Sequence, residues 1–387
     1  MDAKTIASRG YEPYLEAAWG LKNHWYPAAF SHEVPDKLVK GVMIAGREIA
    51  LRRARGKVHA LADRCAHRGV RMSKKSTCLT DEHLTCWYDG FSYGLEDGLL
   101  KTIVGSPEDP RIGKIAIRTY PVEEFNGVIY VFIGDPEYKP LPPLDSDLPI
   151  RITDEPDAVG HLLDQNVYLR GIHRTAACNW RLAMENGFDS GHPLIHYDTA
   201  LIAATDRALG LGWAPTAPEA VRIIDAPDGP KGMMNMFRTG QFRVVRENAL
   251  TGIKVHGQSR HYARTSIYLP CCLLVENWPI KGWGQYEWCV PIDDQRHEYW
   301  EVLVGPGATD EEIKESEFKF VNFLEPLGLW GFNDPDVFAR EAVQEFYAKM
   351  DGWERERLCQ FDSVLVGWRK LVSQYNRGIA SPPQASA

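Results

Sequence analysis

The chain has 387 residues, of which 44% are hydrophobic and 25% are charged. This length exceeds what one hydrophobic core usually serves, so we expect two domains of an ordinary globular protein. The formal net charge of −8 argues against nucleic acid as a main partner. No apolar run approaches ~18 residues, so we predict no membrane span.

The first residues of the sequence predict the cellular compartment, and the compartment predicts the state of the cysteines. Residues 1–20 lack the basic-then-apolar layout of a signal peptide, which predicts a cytoplasmic protein. In the cytoplasm, cysteines are usually free thiols or metal ligands and seldom form disulfides. We therefore interpret the eight cysteines as thiols or ligands.

The first part of the chain is predicted to contain a helical segment followed by a small all-β domain. Residues 1–24 are typical of a helical segment, with Tyr14, Ala17 and Ala18 on one face. From 25 to 135 the pattern changes to short strands and turns. Residues 42–63 alternate, turn at Gly56 and Lys57, and resume, as a β-hairpin does. Residues 127–135 are a strongly β-prone run that ends in a turn.

A longer mixed region follows. Residues 136–150 are rich in Pro and Asp and indicate a linker, so the second domain spans 151–387. A helix is predicted at 178–201, broken around 187–191. Strand-like runs lie at 161–174, 233–239, 265–278, 284–292 and 297–306. The last helix aligns seven apolar residues on one face: Leu358, Phe361, Leu365, Trp368, Leu371, Val372 and Tyr375. The fold class that we predict is α+β.

A first candidate metal site lies in the β domain. Cys65 and His67 form a Cys-x-His pair, and Cys86 opens a second loop of the form Cys-x-x-(ligand). Two Cys on one iron and two nitrogen ligands on the other are typical of a Rieske [2Fe–2S] cluster. The position expected to be the second His is Asp89. Asp89 ligates iron through oxygen, or His83 substitutes for it, or the residue is a change from a parental His.

Two other interpretations of this motif stay open. Cys65 and Cys86 would be buried core thiols if their spacing arose by chance. Zinc also binds Cys and His, but it favours closer pairs such as Cys-x-x-Cys, which Cys78 does not supply.

A second candidate metal site lies in the mixed domain. On a helix, His192 and His196 would project both imidazoles from one face. Asp189 stands three residues earlier, where it could hydrogen-bond a ligand imidazole and set its tautomer. A 2-His-1-carboxylate site needs one more acid. Asp334 and Asp336 both qualify, although either would also suit the start of a helix.

Four segments together resemble a known family. They are CAHRG (65–69), CWYDGFSYG (86–94), NWRLAMENGFDSGHPLIH (179–196) and GFNDPDVFARE (331–341), in this order along the chain. The chain is similar to the terminal oxygenase α-subunit of Rieske non-heme iron oxygenases, from about residue 23 to 378. This resemblance implies a Rieske β-domain followed by a helix-grip catalytic domain.

The resemblance also implies roles for individual residues. His192, His196 and Asp336 correspond to the ligands of a mononuclear Fe(II), which selects Asp336 over Asp334. Asp189 corresponds to an acid that bridges this iron to the cluster of a neighbouring subunit. The remaining correspondences are the cluster positions Cys65, His67, Cys86 and Asp89, the substrate-binding carbonyl of Gly187, the pocket-wall residues Thr265, Trp278 and Phe332, and Asn333 beside the iron.

The resemblance further implies partners and an overall reaction. It predicts a homotrimer that adds O₂ to an aromatic or heteroaromatic ring, with electrons from NAD(P)H through a reductase and a ferredoxin. Residues 38–118 carry 15 basic and 9 acidic side chains, a net of +6, while the rest of the chain carries −14. This positive segment would attract an acidic ferredoxin, unless it is simply an uneven surface.

A carboxylate at position 89 is expected to affect electron transfer. In the family, the second cluster His donates its outer N–H to the bridging acid, here Asp189. A carboxylate at 89 has no such N–H, and it would face Asp189 as a like charge. We therefore expect impaired electron transfer. Rival functions are an oxygenase for another aromatic compound (including monooxygenation or demethylation), a binding protein without redox chemistry, and a stand-alone electron carrier.

Overall fold

The computed structural model describes residues 9–151, 159–205, 221–235, 246–247, 254–255, 264–359 and 362–382. Lys22–Leu141 form one compact unit, the β unit. Pro142–Ile379 form the other, the mixed unit, together with the N-terminal residues up to Leu21. Among the described residues, no helix combines the length and apolarity needed to cross a membrane.

The β unit consists of three antiparallel sheets. Their orders are β1-β10-β9, β2-β3-β4-β8 and β5-β6-β7. The strands are β1 His24–Phe30, β2 Val39–Ile44, β3 Arg47–Ala54, β4 Lys57–Ala62, β5 His83–Thr85, β6 Phe91–Gly94, β7 Leu100–Ile103, β8 Thr119–Tyr120, β9 Val122–Phe125 and β10 Val128–Ile133.

The predicted hairpin is present and is formed by β3 and β4. Ala54 pairs with Lys57, so the two turn residues are Arg55 and Gly56, one position earlier than the sequence indicated. Both have positive φ, 51° and 76°. This is the backbone of the two-residue turn whose twist matches that of the flanking strands.

The mixed unit is built on one seven-stranded antiparallel sheet, ordered β11-β19-β18-β17-β16-β13-β12. Its central strands are buried along nearly their whole length, since helices pack on them. The strands are β11 Val167–Ala176, β12 Val221–Asp225, β13 Lys231–Asn235, β14 Arg246–Glu247, β15 Lys254–Val255, β16 Arg264–Tyr268, β17 Cys272–Glu276, β18 Gly284–Pro291 and β19 His297–Pro306, with β14 and β15 pairing separately.

Helices of the mixed unit come from the segment before the β unit and from the segment after it. They are α1 Glu12–Glu16, α2 Trp180–Phe188, α3 Ala200–Thr205, α4 Asp310–Lys319, α5 Asp334–Lys349, α6 Gly352–Arg355 and α7 Ser363–Tyr375, with a π-helical segment Phe320–Trp330 between α4 and α5. The N-terminal segment is anchored by Tyr14. Its hydroxyl donates to Oε1 of Glu185 at 2.7 Å, and its N–H donates to Oγ of Ser373 at 3.1 Å.

The α+β prediction is confirmed, with local differences. The first strand of the mixed unit begins at Val167, later than the predicted 161. The last helix begins at Ser363, so Leu358 precedes it, while Leu365, Trp368, Leu371 and Val372 are buried as expected. Phe361 and residues 236–239 of a predicted strand lie outside the described residues.

Candidate functional site

The two histidines of the candidate metal site, His192 and His196, follow the end of α2. Asn179 caps the start of this helix by accepting a hydrogen bond from the Arg181 N–H at 3.1 Å. The helix ends at Phe188, and a short 3₁₀ helix, His192–His196, comes next. The sequence predicted an α-helical pair here. In the tighter 3₁₀ helix, residues four apart do not share a face, and the two rings meet edge to face at 5.4 Å and 90°.

Asp336 completes the set from the first turn of α5. Its Oδ2 lies 3.4 Å from Nε2 of His196, and its Oδ1 lies 3.8 Å from Nε2 of His192. The ligand atoms of the three residues lie within 4.8 Å of one another. Asp334, the other carboxylate considered, is 57% exposed at its side chain and pairs with Arg174. The structure therefore brings Asp336, and not Asp334, to the histidines.

The orientation of His192 is fixed by Asp189. Nδ1 of His192 lies 2.6 Å from the Asp189 backbone carbonyl, so this nitrogen donates and Nε2 keeps its lone pair. The sequence predicted this partner, although the contact uses the carbonyl and not the carboxylate. The Asp189 carboxylate accepts from the Gly191 N–H at 2.7 Å, and burial raises its pKa.

The three residues fit a metal ion. Nε2 of His196 and Oδ1 of Asp336 are buried, with no hydrogen-bond partner in the described part of the chain. Such atoms are costly unless something else satisfies them. Burial lowers the pKa of His192 and so favours the neutral imidazole that binds metal. Two imidazoles and one carboxylate are the donor set of non-heme Fe(II) oxygenases.

Asp336 is ionised. Burial alone would raise its pKa, but the nearby His196 imidazole, 3.4 Å from Oδ2, together with Arg340 and His192, lowers the pKa to about 2. A carboxylate that stays deprotonated at neutral pH needs no proton loss before it binds a metal.

An apolar wall adjoins the triad. The Phe332 ring stacks on His196 with centroids 3.8 Å apart, and Trp278 lies 4.8 Å from Phe332. These two belong to a buried cluster with Leu201 and Ile202. The wall brings together two of the three residues that the sequence assigned to the pocket. Thr265, the third, pairs across the sheet with Val275, which packs against the same cluster.

Gly187 and Asn333 lie near the triad in the chain. Gly187 belongs to the last turn of α2, where carbonyls lack intrahelical partners. A Cβ at this position would approach Leu273 to 2.9 Å. Asn333, buried just before α5, donates through Nδ2 to Oε1 of Glu301 at 2.7 Å.

Sequence reasoning missed a group of largely buried ionisable side chains on the seven-stranded sheet and α5. Glu287 on β18 and Glu301 on β19 are directly paired, and Arg174 and Arg340 face them. Burial raises the pKa of Glu301 to about 8. The available signal was an acidic residue in the middle of each strongly apolar strand, which is unusual unless the charge has a partner.

The cysteine motif forms two matching turns in the β unit. The Gly69 N–H donates to the Cys65 carbonyl at 2.9 Å, and the Gly90 N–H donates to the Cys86 carbonyl at 3.0 Å. Both glycines have φ of 71°, the left-handed region that favours glycine. The two turns thus present Cys65 and Cys86 from equivalent backbone positions, and both cysteines are buried.

His67 lies two residues after Cys65 in the first turn, and Asp89 lies three residues after Cys86 in the second. His67 Nδ1 lies 2.8 Å from Asp89 Oδ2, and the imidazole stacks on Phe91 at 4.6 Å. The side chains are 31% and 33% exposed, unlike the cysteines. His83, the proposed substitute, instead contacts Oγ1 of Thr80 through Nδ1 at 3.1 Å.

The cluster candidates are two pairs of side chains, which fit a metal cluster better than a single ion. They are Cys65, Cys86, His67 and Asp89. The Cys65 and Cys86 thiols contact each other, and His67 contacts Asp89. Zinc would have its ligands around a single centre. A cysteine pair and a separate His–Asp pair fit a two-iron cluster, with carboxylate oxygen in place of one imidazole nitrogen.

The surroundings of Cys65 favour the thiolate, which is the form of cysteine that binds metal. A hydrogen bond with Cys86 lowers the pKa of Cys65 to about 6, and the same bond raises the pKa of Cys86. The Tyr93 hydroxyl lies 3.3 Å from Cys65 Sγ and contributes to the lowered pKa of Cys65. One thiolate is therefore favoured at neutral pH even without metal.

Comparison with known families agrees with both sites. Residues 24–121 match the Rieske [2Fe–2S] domain, and residues 132–380 match the homotrimeric ring hydroxylase family. The chain belongs to the Rieske-type ring hydroxylases and is an oxidoreductase with a Rieske [2Fe–2S] domain. The resemblance drawn from the four sequence motifs is confirmed.

Individual relatives cover nearly the whole chain. It is 38% identical to the terminal oxygenase component of carbazole 1,9a-dioxygenase from Metapseudomonas resinovorans, over 98% of this chain and 97% of that protein. It is similar to the solved 2-oxoquinoline 8-monooxygenase component, with a TM-score of 0.93 and 46% identity, covering 100% of this chain and 94% of that one. It also resembles the oxygenase–ferredoxin complex of carbazole 1,9a-dioxygenase, with a TM-score of 0.87, 37% identity and coverage of 96% and 94%.

Proposed function

We propose that this chain is the terminal oxygenase of a multicomponent system that hydroxylates a planar nitrogen heteroaromatic with O₂. The observation that carries the proposal is the triad of His192, His196 and Asp336, buried against an apolar wall. Three protein ligands leave coordination positions of a metal open. The wall gives a flat apolar ring a surface next to those positions.

In this proposal, the triad would hold Fe(II), which supplies the activation of O₂ when bound. Asp189 keeps Nε2 of His192 available, and Phe332 limits the movement of the His196 ring. The apolar residues around the triad exclude water from the reacting region.

Substrate orientation is assigned to two kinds of contact. The aromatic ring of the substrate would contact the side chains of Phe332, Trp278 and Thr265. The Gly187 carbonyl would accept a hydrogen bond from the substrate N–H. A buried acceptor discriminates strongly against analogues that lack the donor, because the acceptor would then lose its partner. Asn333, held by Glu301, is assigned a place beside the iron.

Electrons reach the chain from a ferredoxin, in this proposal, and the ferredoxin is reduced by an NAD(P)H-dependent reductase. Cys65, Cys86, His67 and Asp89 would hold the [2Fe–2S] cluster that accepts them. The oxygenase–ferredoxin complex of a similar protein and the net +6 of residues 38–118 support this partner. The family description supports a homotrimer, and the use of NAD(P)H suits the cytoplasm.

The specific reaction that we propose is the angular dioxygenation of carbazole. One carbazole, O₂, two electrons and two protons give a cis-diol that carries one hydroxyl on the carbon bound to nitrogen. This unstable hemiaminal opens by cleavage of its C–N bond, which yields 2′-aminobiphenyl-2,3-diol. The identity to the carbazole enzyme over 97% of its length supports this substrate.

A second candidate reaction is monooxygenation of a quinolinone. It is favoured by the 46% identity to the 2-oxoquinoline 8-monooxygenase component. One oxygen atom would enter the ring, and two electrons and two protons would reduce the other to water. Both substrates are flat and carry a ring N–H.

Isotopically labelled O₂ separates these reactions. The purified chain, with a ferredoxin and reductase, is given carbazole or 2-oxoquinoline, and the products are analysed by mass spectrometry. Two labelled atoms in the carbazole product support dioxygenation, and one in the quinolinone product supports monooxygenation. Absence of iron from the triad would favour the binding-protein alternative, and absence of any product would contradict both reactions.

A further inference from the structure

One buried guanidinium connects the two helices that carry the metal triad. Arg340 is 2% exposed and follows Asp336 by one turn on α5, so both side chains lie on the same face. Its Nε donates to Oδ1 of Asn186 on α2 at 2.6 Å. Asn186 directly precedes Gly187, close to the end of α2 from which the chain continues to His192.

The same guanidinium reaches the sheet. Its Nη2 lies 3.6 Å from Oε2 of Glu287, and its centre lies 4.4 Å from the centroid of the Tyr299 ring. Glu287 is itself held, because Gln285 Nε2 donates to its Oε1 at 2.8 Å and the Tyr299 hydroxyl donates to its Oε2. Arg340 thus has fixed contacts on α2, β18 and β19.

Burial of the Arg340 guanidinium has a free-energy cost that packing must offset or function must explain. An arginine buried beside a divalent metal repels the ion, and its own desolvation is costly. Glu287 offsets the charge, and Nη1 of Arg340 is buried with no hydrogen-bond partner among the residues described. An apolar residue would fill the space at lower cost, so packing alone does not account for Arg340.

We propose that Arg340 is a positioning residue for the metal triad, which holds α2 and α5 at a fixed separation while Glu287 balances its charge. Asp336 then meets the imidazoles of His192 and His196 in one geometry. This inference rests on the proposed iron site. It assigns Arg340 no contact with substrate or with the reacting atoms.

The test compares three variants of the full chain. Arg340→Lys keeps the charge but loses the planar fork, Asn186→Ala removes only the α2 contact, and Glu287→Gln removes only the balancing charge. Each is depleted of mononuclear iron and titrated with Fe(II) against a chelator. The nitric oxide adduct of the Fe(II) form is then examined by electron paramagnetic resonance, which reports ligand geometry without turnover.

We expect Arg340→Lys to weaken Fe(II) binding about 10- to 100-fold, the usual effect of losing a group that supports a metal ligand. The nitrosyl spectrum should change in symmetry. Asn186→Ala and Glu287→Gln should shift both measurements in the same direction. Arg52→Lys is the matched control, because Arg52 is 1% exposed in the β unit and donates to a backbone carbonyl.

The outcomes are distinct. Parent-like Fe(II) affinity and an unchanged nitrosyl spectrum in Arg340→Lys and Asn186→Ala would overturn the inference, even if their melting temperatures fall like that of the control. If Arg340→Lys does not fold, Asn186→Ala decides, since it leaves the buried charge pair intact. A parent chain that binds no iron at the triad overturns the proposed function together with this inference.

Discussion

Nδ1 of His67 lies 2.8 Å from Oδ2 of Asp89, and two backbone turns of the same form carry the two side chains. In the proposed cluster, an imidazole and a carboxylate would take the places of the two imidazoles that are typical of a Rieske cluster. The exchange would add a negative charge next to the iron. It also removes an outer N–H, because an ionised carboxylate only accepts hydrogen bonds.

Replacement of Asp89 by His should raise the reduction potential of the cluster. The neutral imidazole makes the cluster less negative, which favours the reduced form. Potentiometric titration followed by the electron paramagnetic spectrum of the reduced cluster measures this. Asp81→His makes the same charge change at an exposed site of the β unit and should leave the potential unchanged. Equal potentials, spectra and reduction rates in the parent and Asp89→His would refute the assignment of Asp89.

Removal of the carboxylate ligand should empty only the mononuclear site. Asp336→Ala is expected to weaken Fe(II) binding by more than about 100-fold, beyond the loss typical of a supporting residue. Sulfide and cluster iron should be retained. Asp334→Ala, two residues away and exposed, should keep its iron. Iron and sulfide stoichiometry measures both sites at once, and normal iron content in Asp336→Ala would rule out this triad.

Reduction of the apolar wall should change substrate selection without changing metal content. Trp278→Phe opens space beside Phe332, so we expect a higher KM for the preferred heteroaromatic and an altered ratio of hydroxylated products. Product chromatography with steady-state kinetics measures this. Trp330→Phe is the control, since Trp330 is 42% exposed. An unchanged KM and product ratio would place the substrate elsewhere.

Acid should destabilise the mixed unit partly through His297. This residue is fully buried, its Nδ1 donates to the Cys178 carbonyl at 2.7 Å, and burial lowers its pKa to about 3. The unfolded chain binds a proton near pH 6.5 and the folded chain does not. The free energy of unfolding therefore falls by about 1.4 kcal/mol for each unit by which the pH is lowered between about 6.5 and 3.

His297→Asn preserves the donor to Cys178 and removes the titration. Its melting temperature should fall less steeply than that of the parent between pH 6.5 and 4. Both proteins are compared without mononuclear iron, because acid also protonates the metal-binding histidines. Parallel slopes in the two proteins would exclude this role for His297.

The residues of the metal triad could be predicted because metal chemistry restricts residue types. His192 and His196 are only four residues apart in the chain, and Asp336 was chosen by family resemblance. Their backbone was predicted less well, since an α-helical pattern became a 3₁₀ helix. The Asp189 carbonyl holds His192 in this turn, and a carbonyl contact leaves no mark in the residue types.

Arg340 and Glu287 were missed for another reason. Each reads as an ordinary charge within its own segment, and their pairing depends on how α5 packs on the sheet. Contacts between distant segments have no local pattern. The strand order of the seven-stranded sheet and the shift of the hairpin turn by one residue also required the three-dimensional structure.

The anchoring of Tyr14 has a consequence for synthesis of the chain. Its partners, Glu185 and Ser373, follow it in the chain by 171 and 359 residues and therefore leave the ribosome long after it. The β unit, encoded between them, is complete first. Residues 9–21 must therefore wait until Ser363–Tyr375 has been made, and loss of this helix would leave them without the Ser373 contact and more open to proteases.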